Sequence, residues 1–364
     1  MKIMRSAFLF LLISCGFIFA ETGYAMSSDP REIRTTVSMN QGWKFVYGDS
    51  LQADEEKWID VNVPHDFQIH QSWVMPSPDE RPDDDNPMAN IRSRLSSRGF
   101  KEMGAGWYRK SFVPDSAWLG RRVLIDFEGI LLVGDVYLNG KYIGGTDYGY
   151  LGYPGYPGAI EKRIQLLKKF GFNHIRTSHN PYSKSFLDLC DEYGILVVDE
   201  LYDKWLTNYA GGRREWIEQW QHDVPEWIRR DRNHPSVVIW SLGNELQLIP
   251  DLPYNDWGVT PYRMQKALLN RFDTTRPVTV AMHPRGRNEK TDSLPAPLVM
   301  ETDIAAYNYR YMYFPGDSRR FPWMMFYQSE ANTSNMGPNF FDMDLDKVIG
   351  LAYWGMIDYL GESH

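Results

Sequence analysis

The chain has 364 residues, of which 43% are hydrophobic and 15% aromatic, and its formal net charge is -8 at pH 7. This length and apolar content are enough for one full core and favour two domains. Because the chain is acidic and has no basic cluster, it lacks the charge of a surface that follows phosphates, and we expect no nucleic-acid partner.

The first residues are typical of a secretory signal peptide. A basic start with Lys2 and Arg5 precedes an apolar stretch that is too short to span a bilayer comfortably. We place the signal peptide at residues 1–25, with cleavage after Ala20 or Ala25, and expect a periplasmic or extracellular protein. Residues 12–15 also fit a bacterial lipoprotein box, so lipid anchoring through Cys15 is an alternative.

The rest of the sequence argues against a membrane span and against a disulfide bond. No second apolar run approaches the length of a membrane span, so we predict no transmembrane segment. Apart from Cys15, the chain contains only Cys190, which excludes an intrachain disulfide in the mature protein.

Residues 26–152 have the pattern of an all-β domain. Short strands are predicted at residues 43–47, 58–63, 106–112, 122–127, 134–138 and 141–143. Asn139-Gly140 is a strong signal for a hairpin turn between the last two strands. Residues 76–90 are rich in Pro and Asp and have no periodicity, so we expect a surface loop or a disordered insert there. The predicted fold of this domain is a β-sandwich.

Residues 153–364 alternate between helical and strand patterns. Ile160, Ile164 and Leu167 share one helical face, and a second helix is predicted to end at Gly194. Strands are predicted at residues 172–177, 195–199, 237–240, 277–282, 299–306, 323–328 and 349–354. Apolar strands between helices indicate a parallel sheet covered on both faces, and their number favours a (β/α) TIM-type barrel. We count seven strands, one fewer than a complete barrel has.

Polar residues end four of these strands abruptly. Active sites of such barrels lie at the C-terminal ends of the strands, so these residues are candidates for chemistry. Two carboxylates at one barrel mouth suit glycoside hydrolysis, in which one protonates the leaving oxygen and the other attacks the anomeric carbon. Glu245 and Glu330 are the candidate pair. Each, taken alone, also fits a structural role as an ion-pair partner or a helix cap.

The segment that ends in Glu245 carries a longer resemblance. Residues 234–245, HPSVVIWSLGNE, resemble the acid/base motif of glycoside hydrolase family 2, which includes β-galactosidases, β-glucuronidases and β-mannosidases. Residues 171–181, 188–194 and 353–362 are similar to other barrel segments of that family. Residues 43–45, 63–66 and 136–140 resemble its sugar-binding jelly roll. The resemblance implies a jelly-roll sandwich at residues 26–152 and a catalytic barrel at residues 153–364.

The resemblance also implies roles for the residues nearest the chemistry. Glu245 would be the general acid/base, and Glu330 would be the nucleophile that forms a covalent glycosyl intermediate. Asn244 would hold the sugar 2-hydroxyl, and Arg176 would lie against Glu330.

Further residues are expected to line the substrate site on the same grounds. Tyr309 would donate a hydrogen bond to Glu330, with Tyr307 as a near alternative. His179 and Asn180 would contact substrate hydroxyls. Trp354 would form the floor under the sugar ring, with core packing as the alternative.

Asp199 and Glu200 end a strand that faces the site, so direct substrate contact and support of other residues are equally open for them. We expect no required cofactor, because zinc-ligand spacing and a Gly-rich phosphate loop are both missing. Members of the resembled family sometimes bind Mg²⁺ or Na⁺ near the acid/base, but the sequence does not locate such a site.

The sequence departs from the family pattern in the barrel. Relatives carry an immunoglobulin-like sandwich before the barrel and a first barrel strand, and residues 148–158 pass directly into the helix that should follow that strand. The chain also ends soon after the last predicted strand, without the family's closing helix. We therefore expect an incomplete (β/α)8 barrel, which leaves unpaired strand edges.

The expected activity is retaining hydrolysis of terminal β-linked sugars from glycosides or oligosaccharides. A β-galactosidase is favoured, because residues 178–181 and 63–66 resemble that branch of the family most. A β-glucuronidase and a non-catalytic carbohydrate-binding remnant are the alternatives. The pattern leaves the oligomeric state open.

Overall fold

The computed structural model of the protein describes residues 8–15, 35–48, 54–74, 101–102, 104–131, 133–146, 150–151, 157–205, 216–246, 252–284, 294–332, 342 and 344–355. The strands are β1 (Phe8–Cys15), β2 (Trp43–Tyr47), β3 (Ile59–Val61), β4 (Gly106–Phe112), β5 (Ile130–Leu131), β6 (Val133–Leu138), β7 (Lys141–Thr146), β8 (Tyr150–Leu151), β9 (His174–Arg176), β10 (Leu196–Glu200), β11 (Val237–Asn244), β12 (Val278–Met282), β13 (Ala305–Asn308), β14 (Phe326–Ala331) and β15 (Val348–Tyr353). The helices are α1 (Pro157–Lys169), α2 (Lys184–Tyr193), α3 (Trp216–Asp231), α4 (Val259–Leu269) and α5 (Phe314–Arg320).

The described residues divide into two units, one with residues up to 127 and 133–146, the other with the rest. The first unit contains a six-stranded sheet in the order β3-β2-β4-β1-β6-β7. Its core is formed by Trp43, Phe45, Tyr108 and Val136. The predicted turn between β6 and β7 is confirmed, since Asn139 and the glycine after it have φ angles of 50° and 79°.

One strand predicted for this unit is wrong. Residues 122–127 join no ladder among the described strands, although Ile125 and Phe127 pack against the core. The alternation of apolar residues in this segment therefore reflects partial burial of its side chains, and the segment does not pair as a strand. Residues 76–90 lie outside the described part of the chain. The described residues of this unit form one sheet, and the β-sandwich stays a prediction.

β1 lies within the stretch that was predicted to be a signal peptide. It runs parallel to both of its neighbours, β4 and β6. Removal of residues 1–25 would therefore take a strand out of the middle of this sheet. Cleavage, export and lipidation of Cys15 stay predictions. None of the described helices combines the length and apolar character needed to cross a membrane.

The second unit is built on a parallel sheet in the order β15-β14-β13-β12-β11-β10-β9. The expected count of seven strands is thus confirmed for the described residues. The strand predicted at residues 299–306 began too early, because a 3₁₀ helix at Pro297–Glu301 precedes β13, which begins only at Ala305. The strand predicted at residues 323–328 is also displaced, since β14 is Phe326–Ala331. Leu298 and Val299 are buried in that helix, and a short buried apolar run does not distinguish a helix from a strand.

Side chains alternate between two layers along these strands. Val197 and Phe326 belong to a large cluster that includes residues of the surrounding helices. Val198, Ala306 and Tyr327 belong to a smaller cluster of strand residues. Since successive strand residues point to opposite faces, the smaller cluster fills the inside of the curved sheet.

The two ends of this sheet approach each other through side chains. His174 on β9 lies 3.1 Å from the hydroxyl of Tyr327 on β14, measured from Nε2. A Cβ atom added to Gly350 on β15 would lie 3.8 Å from Cε1 of His174. β9 and β15 are not hydrogen-bonded neighbours in the described sheet. The second unit is therefore a nearly closed, seven-stranded barrel, which agrees with the expected incomplete one.

Helix α2 is held at both ends by local chemistry. The side chain of Ser183 accepts a hydrogen bond from the backbone N–H of Phe186 at 3.2 Å, and Gly194 ends the helix with a φ of 66° and a ψ of 44°. This left-handed conformation is easy for glycine and costly for residues with a Cβ.

Gly194→Ala is expected to lower the free energy of unfolding by about 1 kcal/mol, measured by urea denaturation followed by tryptophan fluorescence. The space around its Cβ position is open, so the loss would come from the backbone alone. Gly158→Ala in α1 is the matched control, since its Cβ position is also open and its φ is not positive. A control that loses as much stability as Gly194→Ala would contradict this account.

Candidate functional site

Polar side chains gather at the C-terminal edge of the seven-stranded sheet. Because the strands are parallel, their last residues meet at one end of the barrel. The residues that β9, β10, β11, β13 and β14 place there are Arg176, Glu200, Asn244, Asn308 and Glu330. All five are buried.

Arg176 is the centre of this group. Its Nε donates to Glu200 Oε2 at 3.0 Å, and its Nη1 donates to Glu330 Oε1 at 2.9 Å and to the backbone oxygen of Ser329 at 3.1 Å. Burial opposes its charge, but the charges of Glu200 and Glu330 outweigh burial and raise the pKa of Arg176 further. The guanidinium thus holds two carboxylates from two distant strands, as the sequence predicted for Glu330.

Glu245 follows β11 directly and has an unusual backbone. Its φ is 50°, a left-handed value that is uncommon for a residue with a side chain. Its N–H donates to the backbone oxygen of Ala281 at 2.7 Å, which ties this residue to the next strand. Its Oε1 accepts from Asn308 Nδ2 at 3.2 Å, and its Oε2 lies 3.9 Å from Lys204 Nζ.

Two amides connect the two candidate carboxylates. Asn244 Oδ1 accepts from Arg176 Nη2 at 3.0 Å and from Asn308 Nδ2 at 2.9 Å. Asn308 reaches Glu245, while Arg176 reaches Glu330. Glu245 and Glu330 are therefore the two ends of one continuous chain of hydrogen bonds.

Asp203 holds the other side of Asn244. Its Oδ1 accepts from Asn244 Nδ2 at 3.0 Å and from Lys204 Nζ at 2.7 Å. Burial raises the pKa of Asp203, but the charges of His179 and Lys204 outweigh it, so the pKa lies below the ordinary value. Asn244 is therefore fixed from both sides in one orientation.

His179 stands between the cluster and the barrel mouth. Its Nδ1 lies 2.7 Å from Glu200 Oε1, its Nε2 lies 3.7 Å from Glu330 Oε1, and its ring stacks on Trp354 with centroids 5.3 Å apart. Burial lowers the pKa of His179, but the charge of Asp203 and the bond to Glu200 outweigh burial and raise it above the ordinary value. Trp354 is 38% exposed, so this stacked pair presents a flat ring to solvent.

The structure separates the two candidate tyrosines. Tyr309 lies beside Glu330, and its backbone N–H donates to the backbone oxygen of Glu330 at 2.8 Å. Burial, then the charge of Glu330, raises the pKa of Tyr309. The hydroxyl of Tyr307 instead donates to Asp317 in α5 at 2.9 Å. Tyr309 is thus the neighbour of Glu330.

Asp199 does not belong to the site, which corrects the expectation of substrate contact. Its Oδ2 accepts from Trp227 in α3 at 2.8 Å, and its Oδ1 accepts from Thr177 at 3.3 Å. Burial and the charge of Asp231 raise the pKa of this carboxyl group. Since Asp199 and Glu200 are consecutive strand residues, they face opposite sides, and Glu200 is the one that reaches the mouth.

Asn180 lies in the loop after β9 and turns its amide toward that loop. Its Nδ2 donates to the backbone oxygen of Pro181 at 3.0 Å, and its N–H donates to the backbone oxygen of Thr177 at 3.1 Å. Its predicted contact with substrate stays a prediction.

Three residues of the site were missed by the sequence analysis. Asn308 ends β13, so the search for polar residues at strand ends should have found it. Asp203 and Lys204 follow β10 in a loop, and only their contacts with Asn244 and Glu245 reveal them. No local sequence signal separates these two from ordinary surface charges.

The described neighbours of the Glu245 carboxylate do not favour binding of a metal ion. The contacts of this carboxylate are an amide, Asn308, and an ammonium, Lys204, which opposes a second cation. Among the described residues, three potential ligands come together at Asp188, Asp191 and His234, at the amino-terminal end of β11. That is the opposite end of the strand, and we assign no step of catalysis to a metal.

Comparison with known proteins agrees with this architecture. Residues 158–313 match the family model described as glycosyl hydrolases family 2, TIM barrel domain. The chain is 32% identical over 234 residues to the β-galactosidase BoGH2A of Bacteroides ovatus, which covers 56% of this chain and 27% of that protein. It is 40% identical over 122 residues to the β-glucuronidase of Mus musculus, which covers 33% of this chain and 18% of that protein.

The fold is also seen in a solved structure. A β-glycosidase from Bacteroides vulgatus superimposes with a TM-score of 0.57 at 18% identity, over 81% of this chain and 59% of that one. This likeness concerns the fold. The chain spans about a quarter or less of the two curated relatives, 27% and 18% of their lengths.

Arg176→Met is expected to destabilise the protein by about 3–5 kcal/mol at pH 7, because it leaves two buried carboxylates without their cation. Burial raises the pKa of Glu200 and the charge of Arg176 lowers it, with a net value below the ordinary 4.5. The stabilisation is therefore full above the unfolded pKa and is lost as pH falls through the folded one. Urea denaturation should show the deficit of the variant shrinking as pH falls below about 4.5.

Arg263→Met is the control for losing any paired arginine. Arg263 also forms a fork with a carboxylate, Glu301, at 2.8 and 2.6 Å, but its side chain is 63% exposed. The expected loss is much smaller than that of Arg176→Met, since exposed pairs are screened by water. Equal losses in the two variants would refute the buried role of Arg176.

Proposed function

We propose that the protein hydrolyses terminal β-linked sugars with Glu245 and Glu330 as the reacting pair, because residues 158–313 match the model of the glycosyl hydrolases family 2 TIM barrel domain. The observation that carries the proposal is the hydrogen-bonded chain through Asn308, Asn244 and Arg176, which joins the two glutamates at one barrel mouth. Two carboxylates in separate environments at one site are what this reaction needs.

Glu330 is the proposed nucleophile. Arg176 donates a hydrogen bond to its side chain at 2.9 Å, which fixes the direction of the carboxylate, and we propose that the nearby Tyr309 adds a second donor. In the first step this carboxylate attacks the anomeric carbon while Glu245 gives its proton to the glycosidic oxygen, so the bond from carbon to the leaving oxygen breaks. A covalent glycosyl ester on Glu330 remains.

Glu245 then changes its role. It takes a proton from a water molecule, the water oxygen attacks the anomeric carbon, and the ester bond to Glu330 breaks. The sugar leaves with the configuration it had in the substrate, and both glutamates regain their starting protonation. Since Glu245 is less enclosed than Glu330, with 16% of its side chain exposed against 5%, it suits the step that needs water.

The remaining residues would bind and orient the sugar. Asn244 is fixed from two sides, and we propose that it meets the 2-hydroxyl group. The stacked pair of His179 and Trp354 offers a flat surface to one face of the ring, which suits a pyranose. The raised pKa of His179 favours its protonated form, in which both ring nitrogens can donate hydrogen bonds.

A β-galactoside is the proposed substrate, supported by the relative from Bacteroides ovatus and by the segments quoted from the sequence. A β-glucuronide is the second candidate, supported by the mouse relative. A uronate needs a cation, and Lys204, which Asp203 holds at the mouth, is a described ammonium there. The signal-like N-terminus supports a further proposal, that the reaction takes place outside the cytoplasm.

Purified protein is expected to hydrolyse one of four p-nitrophenyl β-glycosides, the galactoside first among galactoside, glucuronide, mannoside and glucoside. Glu245→Ala and Glu330→Ala should each lower kcat by about 10³-fold or more, because each removes a reacting group. Release of p-nitrophenol measures the rate. Asp273→Asn, which alters a buried acid paired with Arg276 away from the mouth, is the control for general damage.

A folded protein that turns over none of the four sugars would contradict the enzymatic proposal. In that case, binding of the same sugars, measured by calorimetry, would identify a carbohydrate-binding remnant. Turnover that survives Glu330→Ala would contradict the assignment of the nucleophile.

A 2-fluoro glycoside of the preferred sugar is expected to trap the covalent intermediate on Glu330. The fluorine slows both steps, and a good leaving group restores the first one, so intact-protein mass should rise by one fluorosugar. Glu330→Gln should give no adduct. Glu245→Gln should still be labelled, because an activated leaving group needs little help from an acid. Labelling that persists in Glu330→Gln would place the nucleophile elsewhere.

A further inference from the structure

Glu200 is a buried acid that lies directly beneath the proposed site. Its side chain has no exposed surface, so it does not reach a bound sugar. Its carboxylate nevertheless accepts hydrogen bonds from four donor atoms. The donors are Arg176 Nε and Nη2, His179 Nδ1 and Ser241 Oγ, at 2.6 to 3.0 Å.

Burial of this acid is costly in free energy. Taking a carboxylate and a guanidinium out of water costs several kcal/mol for each ion, and their attraction does not reliably repay that cost. Apolar residues of similar volume would often stabilise such a position as well or better. The presence of Glu200 is therefore better explained by what it arranges than by stability.

Glu200 determines the plane of the Arg176 guanidinium. Nε and Nη2 both bond to this carboxylate, and Nη2 also reaches Asn244 Oδ1. The two remaining donors, on Nη1, then point to Glu330 and to the backbone oxygen of Ser329. Because the guanidinium is rigid, a change on the Glu200 side moves the donor that meets Glu330.

Glu200 also determines the state of His179. Its Oε1 lies 2.7 Å from Nδ1, which keeps a proton on that nitrogen and turns Nε2 toward Asn244 and Glu330. The same contact fixes the plane of the imidazole ring, and that ring stacks on Trp354.

We propose that Glu200 is a positioning residue that orients Arg176 and His179 together, so that one buried carboxylate sets the direction of Glu330 and the plane of the His179–Trp354 pair. The proposal rests on the proposed glycosidase function for its kinetic consequences. Its consequence for the charge of His179 does not depend on that function.

The charged groups that face His179 are Glu200, Asp203, Arg176 and Glu330. Glu200→Gln removes a negative charge and keeps the shape, while Arg176 stays positive. The balance then favours the neutral imidazole, so the midpoint of the His179 titration should move to lower pH. The expected displacement is about one pH unit or more.

The experiment compares wild type, Glu200→Gln and Asp273→Asn. The first readout is the imidazole titration by NMR, with the His179 signal identified by its loss in His179→Asn. The second is kcat and KM across pH on the preferred sugar. We expect Glu200→Gln to lower the His179 midpoint and to lower kcat/KM by about 100-fold, largely through kcat, since misplaced groups weaken the transition state most.

Asp273→Asn also neutralises a buried acid that bonds to an arginine, Arg276 at 2.6 Å, but it lies away from the mouth. It should lose stability without changing either readout. If Glu200→Gln leaves the titration of His179 and the value of kcat unchanged, the proposal is overturned.

If the wild type turns over no sugar, the proposed function fails, and the NMR titration alone then tests the link between Glu200 and His179. If Glu200→Gln does not fold, Glu200→Asp replaces it, because it keeps the charge but withdraws the carboxylate by about one bond. This variant should leave the midpoint of the His179 titration close to that of wild type and lower kcat. Unchanged kcat in a folded Glu200→Asp would overturn the positioning role.

Discussion

The guanidinium of Arg176, buried between two carboxylates, is the interaction on which the rest of the second unit depends. In a low-dielectric interior each of the three charges would be costly alone, and together they offset one another. Glu200 belongs to the strand next to β9, while Glu330 belongs to β14, near the other end of the sheet. The arginine therefore connects β9 to β14, two strands that are not hydrogen-bonded neighbours in the described sheet.

Two side-chain amides extend the hydrogen bonds of Arg176 to the second glutamate of the site. Asn244 and Asn308 link Arg176 to Glu245 without adding a charge between the two glutamates. Glu330 consequently faces a guanidinium at 2.9 Å, while Glu245 faces an amide at 3.2 Å and has its ammonium neighbour farther away, at 3.9 Å. Two chemically identical side chains are thus placed in different surroundings by neutral connectors, which is how paired carboxylates acquire separate tasks.

Much of this site was predictable because a parallel barrel collects its strand ends. Arg176, Asn244, Glu245 and Glu330 each follow an apolar strand, and the geometry of the fold does the rest. Spacing alone did not show which of two consecutive acids points inward, because a shift of one residue reverses every side chain of a strand. The pairing of β10 with its two neighbouring strands in the structure shows that Glu200 points inward and that Asp199 points toward Trp227.

Other features were beyond the sequence for different reasons. Asp203 lies in a loop, and a loop sequence has no periodicity from which the contacts of a side chain, such as that with Asn244, could be predicted. Residues 122–127 alternate like a strand because Ile125 and Phe127 are partly buried, yet burial and backbone pairing are separate properties. The count of seven strands, which the described residues confirm, was visible in the sequence, but the approach of His174 to Tyr327 was not.

That approach makes the junction between β9 and β15 different from every other junction of the barrel. Elsewhere neighbouring strands share a ladder of main-chain hydrogen bonds. β9 and β15 share none in the described sheet, and His174 of β9 instead contacts Tyr327 of β14, the strand beyond β15. Local opening needs less free energy where few backbone bonds must break. Arg176 and Trp354 stand on the two sides of this junction, so a fluctuation that parts it also takes the site apart. The group of polar side chains around Arg176 would then come apart in a partly opened state while most of the barrel remains folded.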